Sequence, residues 1–308
     1  MENLKRYNTL KPFLINKFGE KVGKICIDGN FTCPNRDGKV SYKGCIFCSE
    51  QGSGEHIKQT LDISKQVKDY LTTYKAQRVN KYIAYFQNFT NTYDTIENLK
   101  EKYDSALITD KIVSLAIATR PDCITEEIVK LLASYSNKYY VFVELGLQTS
   151  NDTTAQIINR GYTKDIFTKA VSLLRKYNID VVTHIMVGLP NETLEDVKET
   201  LSFINSHDVQ GIKVHSTYIV QNTILEKIYL DKKYIPLSLE EYLEALEYII
   251  THSRPDLIIH RISGDAPKDI LVAPSWNSRK KLVMNGIDKI LREKNLYQGC
   301  FYEKKEKF

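Results

Sequence analysis

Six stretches of the chain are apolar, rich in β-branched residues and little interrupted: "KICID" (24–28), "YIAYF" (82–86), "IVSLAIA" (112–118), "YYVFVELGL" (139–147), "IDVVTHIMV" (179–187) and "GIKVHSTYIV" (211–220). Runs this short and this apolar read as strands covered on both faces, the condition of a parallel sheet. Between them the apolar positions take helical spacing, most clearly Ile166, Phe167, Ala170, Leu173, Leu174 and Tyr177, then Leu194, Val197, Leu201 and Ile204. Six alternations of strand and helix predict an α/β chain folded as a partial, open-sided (β/α)6 TIM-like barrel. "LIIHRI" (257–262) is available as a seventh strand, and a doubly wound sheet is the rival fold.

After about residue 235 the pattern changes. "SLEEYLEALEYIITHS" reads as a helix, "SGDAPKDILVAPSWNS" as a loop and 279–294 as a last helix. The expected organisation is an N-terminal extension over 1–20, a core barrel over 21–235 and a C-terminal helical extension over 236–308 packed on it.

In such barrels chemistry gathers where the strands end, because those loops vary without disturbing the core. Cys33, "QNFTNT" (87–92), "TRPDC" (119–123), "QTSND" (148–152) and "GLPNET" (188–193) follow the first five strands and so fall on one rim.

Composition narrows the field. At 308 residues with 42% hydrophobic, the chain has enough apolar material for one large core. No apolar run approaches the roughly 18 residues of a membrane span, and charge interrupts the N-terminus where a signal peptide would be apolar. The expected location is cytoplasmic, with no membrane partner. There cysteines stay reduced, so clustered ones serve as metal ligands or catalysts. A net charge of +5 with 20 Tyr and 11 Phe suits RNA binding, although a lysine-rich surface over core aromatics explains the same numbers. The closing "KKEKF" reads as a solvated tail.

"FTCPNRDGKVSYKGCIFCSE" (31–50) holds Cys33, Cys45 and Cys48. Three thiols cannot pair off as disulfides and are one short of a closed zinc site. The favoured reading is an Fe–S cluster held by three cysteines, which keeps one iron open. Zinc with His56 as fourth ligand, a redox C-x-x-C and unligated thiols are the alternatives.

With "TRPD" at strand three, "ELGLQTSNDTTAQIINRGY" at strand four and "HIMVGLP" at strand five, the chain resembles the radical S-adenosylmethionine (SAM) superfamily. The eleven-residue gap between the first two cysteines is similar to its elongator-type branch of wobble-uridine modifying enzymes, and "FTCPNRDG" to the YhcC/YtqA-like subgroup. The resemblance implies a [4Fe–4S] cluster on Cys33, Cys45 and Cys48, with SAM chelating the open iron and Phe47 as the aromatic before the last cysteine. It places Gln148 and Arg160 at SAM-contacting positions and His184 against the adenosine, with Glu144 and Thr119 as further candidates. The Gly-Gly-Glu element that binds the SAM amino group is missing from strand two; "YFQNFTNT" stands there, and Gln87, Asn88 or their backbone is expected to take its place.

Plainer readings accompany these residues. Glu192 and Thr193 begin a helix through the capping pattern Thr193-x-x-Asp196; His184 is a core histidine; Arg160 and Asp122 form structural ion pairs. Gly188 serves a turn, and Cys26, Cys123 and Cys300 are small buried or incidental residues. No catalytic acid or base is assigned.

For the substrate, the resemblance implies tRNA, with the carbon-5 side chain of the wobble uridine remodelled from carboxymethylaminomethyl toward aminomethyl. No segment after 235 has the size of the elongator acetyltransferase domain, which favours trimming an existing side chain. The alternatives are radical chemistry on another substrate and a zinc-stabilised RNA-binding protein. An electron donor such as flavodoxin or ferredoxin and a partner methyltransferase complete the expected partners.

Overall fold

The computed structural model describes residues 6–52, 62–264 and 266–304, and His56 lies outside them. Its strands in chain order are β1 (Val22–Ile27), β2 (Lys81–Phe86), β3 (Ile112–Thr119), β4 (Tyr140–Gln148), β5 (Asp180–Val187), β6 (Gly211–Ser216), β7 (Ile219–Val220), β8 (Ile258–Arg261) and β9 (Leu271–Ala273). The helices are α1 (Leu10–Phe18), α2 (Ile63–Leu71), α3 (Ile96–Ala106), α4 (Glu126–Tyr135), α5 (Asp152–Ile157), α6 (Lys164–Lys176), α7 (Leu194–Asn205), α8 (Ile224–Leu230), α9 (Leu239–His252) and α10 (Lys280–Glu293).

Seven strands form one parallel sheet in the order β1-β2-β3-β4-β5-β6-β8. The order never reverses, so the sheet has no switch point and the doubly wound alternative is excluded. This is a half-barrel, and the available seventh strand is part of it: β8 pairs with β6 through Ile259 beside Ile212 and Arg261 beside Lys213. The stretch 211–220, expected as one strand, is two. After Ser216 the chain leaves the sheet, and Ile219–Val220 pairs antiparallel with Leu271–Ala273, inside the segment expected to be loop.

Alternation along the strands sorts the side chains into two sets. One set, including Ile25, Phe86, Leu115, Val143, Val181 and Ile212, packs under the helices as the main core. The helices take the phases their sequences predict: Phe167, Ala170 and Leu174 of α6 and Val197, Leu201 and Ile204 of α7 are buried. The other set faces the barrel interior. Ile83, Ala116, Phe142 and Val182 meet Leu14, Leu10 and Phe13 of α1, so the N-terminal helix plugs one end of the interior. Thr9 pairs with Ile259 and covers the outer edge of β8. Higher in the barrel the interior positions turn polar, and there the candidate site begins.

Candidate active site

The cysteine loop is fastened to the turn that follows α5. Ile46 N–H donates to the Ile158 carbonyl at 3.1 Å. The Asn35 side-chain amide donates to the Asn159 carbonyl at 2.6 Å, and that of Asn159 to the Gly44 carbonyl at 2.6 Å. Asn35 is fully buried and also donates to Cys45 Sγ at 3.6 Å. Gly161, at φ +84°, lets the turn approach: a Cβ there would stand 2.7 Å from Val40 and 3.1 Å from Asn35.

Cys33, Cys45 and Cys48 line one cavity of about 220 Å³. The Cys48 thiol donates to Cys45, and with Arg120, Asn35 and Arg160 nearby the Cys45 thiol is held below its usual range despite burial. That is the thiolate-favouring setting a metal-ligating cysteine needs. Among the described residues no three His, Cys, Asp or Glu side chains stand close enough to share a single metal ion. An iron–sulfur cluster asks less convergence, because each thiolate binds a different iron, and three thiols lining one cavity fit that demand.

Across the cavity lies a buried polar network. Glu144 Oε2 accepts from Tyr85 Oη at 2.6 Å, His184 Nε2 at 2.9 Å and Lys213 Nζ, and Lys213 also donates to Tyr85 Oη at 3.1 Å. Burial would raise Glu144, but Lys213 and His184 overcome it and hold its carboxyl well below the usual range. Burial, then Lys213, pushes His184 below its usual range, and burial lowers Lys213 to about 7. Glu144 Oε1 is buried without a partner among the described residues.

The cavity brings together Phe47, Gln87, Thr119, Glu144, Gln148, Arg160 and His184 with the three cysteines. Asn88 is not among its walls. It lies at the bend after β2 and donates to Asp28 at 3.1 Å, so of the two side chains expected at strand two Gln87 is the one that lines the cavity. Arg160 is only 1% exposed, and all five of its N–H groups are engaged, by the Leu147, Thr149 and Tyr162 carbonyls and Asp152. With all five donors engaged it clamps the end of β4 and pairs with Asp152, as the ion-pair reading expects, while also lining the cavity. Asp122 likewise pairs with Arg120 at 2.7 Å. Gln148 and Phe89 carry positive φ values of 65° and 56° at the cavity, backbone conformations unusual for side chains of this size.

The plainer readings hold where structure was expected. Thr193 and Asp196 form the full capping box of α7, and Gly188 has φ +84°. Cys123 is buried, and Cys26 and Cys300 half-buried.

Several wall residues escaped sequence reading: Arg36, Tyr85, Arg120, Tyr162, Lys213, His215 and Arg261. The available signal was "GIKVHS", where Lys213 and His215 share one face of an otherwise apolar strand.

A parallel half-barrel that collects three loop cysteines and an inward polar network at its strand ends defines a radical SAM protein, and the chain belongs to that superfamily. The Radical SAM superfamily model matches residues 33–204 and the Radical_SAM C-terminal domain 209–293. Within it, the chain is 40% identical over 304 residues to the uncharacterized protein YtqA of Bacillus subtilis, covering 98% of this chain and 94% of YtqA. It is 28% identical over 166 residues to the tRNA uridine(34) acetyltransferase of Methanocaldococcus jannaschii, covering 53% of this chain and 30% of that protein. The fold superposes on Methanocaldococcus infernus Elp3 with a TM-score of 0.70 at 19% identity, over 90% of this chain and 64% of that one. Among the described residues no helix is long and apolar enough to cross a membrane.

Proposed function

We propose that this radical SAM enzyme remodels the carbon-5 side chain of a tRNA wobble uridine, from carboxymethylaminomethyl toward aminomethyl. The observation that carries the chemistry is the common cavity of Cys33, Cys45 and Cys48 opposite the Glu144 network. The substrate rests on likeness to the elongator branch, including a relative that acts on tRNA uridine 34 by its name. When bound, a [4Fe–4S] cluster supplies the electron that cleaves SAM to methionine and a 5′-deoxyadenosyl radical, which abstracts a substrate hydrogen.

The chain's own residues would do the rest. Cys33, Cys45 and Cys48 hold the cluster, and Asn35 fixes the Cys45 sulfur. Gln87, Thr119 and Gln148 offer polar groups toward SAM, and Glu144 Oε1 an acceptor for a hydroxyl. At the rim, Tyr42 is 81% exposed within the cysteine loop, between exposed Lys39 and Lys43. An open aromatic flanked by ammonium groups suits an unstacked base and its phosphates.

The test is anaerobic reconstitution with iron and sulfide, then dithionite and SAM, with chromatography for 5′-deoxyadenosine. The protein is expected to form it, and Cys45→Ala to lose both cluster and product while keeping its circular dichroism. A Cys45→Ala protein that still holds a full cluster and forms 5′-deoxyadenosine would overturn the ligand assignment. Wobble nucleosides unchanged after incubation with the active enzyme would overturn the tRNA reading.

A further inference from the structure

The Glu144 network holds more positive charge than it needs. Glu144 is answered by Lys213 and by hydrogen bonds from Tyr85 and His184, yet Arg261 and His215 also line the cavity. No hydrogen bond or ion pair to a described residue engages the Arg261 guanidinium. His215 Nε2 is buried and has no hydrogen-bond partner among the described residues. Lys24 adds another ammonium 4.2 Å from the Tyr85 ring, whose centroid lies 4.7 Å from Lys213. Lys213 and Lys24 both act on the Glu144 carboxylate, and Arg261 lines the same cavity as Lys213.

Strand register assembles these groups. Lys213 on β6 stands beside His184 on β5 and Arg261 on β8, and the His184 and His215 rings lie 5.3 Å apart. β6 and β8 form the edge of the sheet opposite β1, whose following loop carries the cysteines. A ligand held there spans the cavity from the far edge. Lys213 is buried and Lys24 and Arg261 half-buried; basic groups crowded beside too few anions repel one another and lose solvation, and an anionic ligand relieves that cost. A carboxylate fits the donor set: guanidinium and ammonium for its charge, with an imidazole N–H beside them. Glu144 fixes Lys213, while Arg261 and His215 remain for the guest.

We propose that Lys213, His215 and Arg261 form a subsite for a substrate carboxylate at the β6–β8 edge of the cavity. The inference rests on the tRNA reading and deepens it: the carboxymethylaminomethyl side chain ends in a carboxylate that the aminomethyl product lacks. The subsite therefore distinguishes substrate from product and lets the trimmed product leave.

The experiment titrates the reconstituted holoenzyme, with SAM present, against 5-carboxymethylaminomethyluridine and 5-aminomethyluridine by ligand-observed NMR. The carboxylate nucleoside is expected to bind about tenfold more tightly or better, the scale of one charge-assisted hydrogen bond. Arg261→Gln should shrink that preference to about twofold or less, Arg261→Lys restore much of it, and His215→Gln fall between, all with melting temperatures near wild type. Equal binding of both nucleosides by the wild type, or an unchanged preference in Arg261→Gln, overturns the subsite. Trimming of tRNA by Arg261→Gln at undiminished kcat/KM overturns the subsite and leaves the tRNA reading standing. If neither nucleoside binds but N-methylglycine does so in an Arg261-dependent manner, the subsite stands and the wobble-uridine reading falls.

Discussion

Glu192 shows how one residue carries a pH dependence that its neighbours set. It sits between the end of β4 and the start of α7, accepting from the Thr149 hydroxyl, and burial pushes its carboxyl from 4.5 up to about 7. Because the folded-state value is raised, the stability linked to Glu192 is present in full below about pH 4.5 and is lost as pH rises through about 7. Glu192→Gln keeps the acceptor without the charge. Its melting temperature should match wild type near pH 5 and exceed it near pH 8, by about 1–3 kcal/mol of stability; coincident curves at both pH values would discount the buried carboxyl. Lys213 and Glu144 are harder to alter singly, since removing one partner of a buried pair strands the other at about 3–5 kcal/mol.

At the scale of elements, the cysteine loop depends on the turn after α5. Ile158, Asn159 and Gly161 together fasten residues 35–46. Gly161→Ala would force a side chain into a left-handed conformation at about 1–2 kcal/mol and press it against Val40 and Asn35. The expected outcome is a lower melting temperature and fewer irons bound per chain after reconstitution, both measurable on one preparation. Unchanged iron binding would show that the loop is positioned without the turn. The motif "TTAQIINRGY" was legible as a block at strand four, but its work was not. Arg160 turned out to serve carbonyl groups at the end of β4, and only the folded chain shows which acceptors lie within its reach.

For the whole molecule, the net charge of +5 is too small to name a partner, and its placement matters more. Lys39 and Lys43 flank exposed Tyr42 on the rim that carries the candidate site. Binding of tRNA by the full chain should weaken as salt rises. Replacing both lysines with alanine should flatten the logarithmic slope by about 0.7 for each phosphate left without its ammonium, and Tyr42→Ala should weaken binding about fivefold or more at every salt concentration. Filter binding across a salt series separates the two effects, and a slope untouched by the lysine changes would move the RNA surface elsewhere.

The six expected strands, the helix phases, the rim and the three clustered cysteines were all legible in sequence, because each depends on spacing within a segment and alternation or helical periodicity reports which face is buried. Tertiary structure alone decided the fate of the single polar side chains. Whether Lys213 is a stray surface lysine or part of a buried network depends on which residues of β2, β4 and β8 stand opposite it, and those lie tens to more than a hundred positions away along the chain. The same holds for the break in the strand at Ser216, which the antiparallel partner Leu271–Ala273 makes favourable, and for Arg160, whose five donors found their acceptors within the fold. Local pattern determines what forms; which groups meet, and so which charge is left over for a ligand, is determined by register between distant strands.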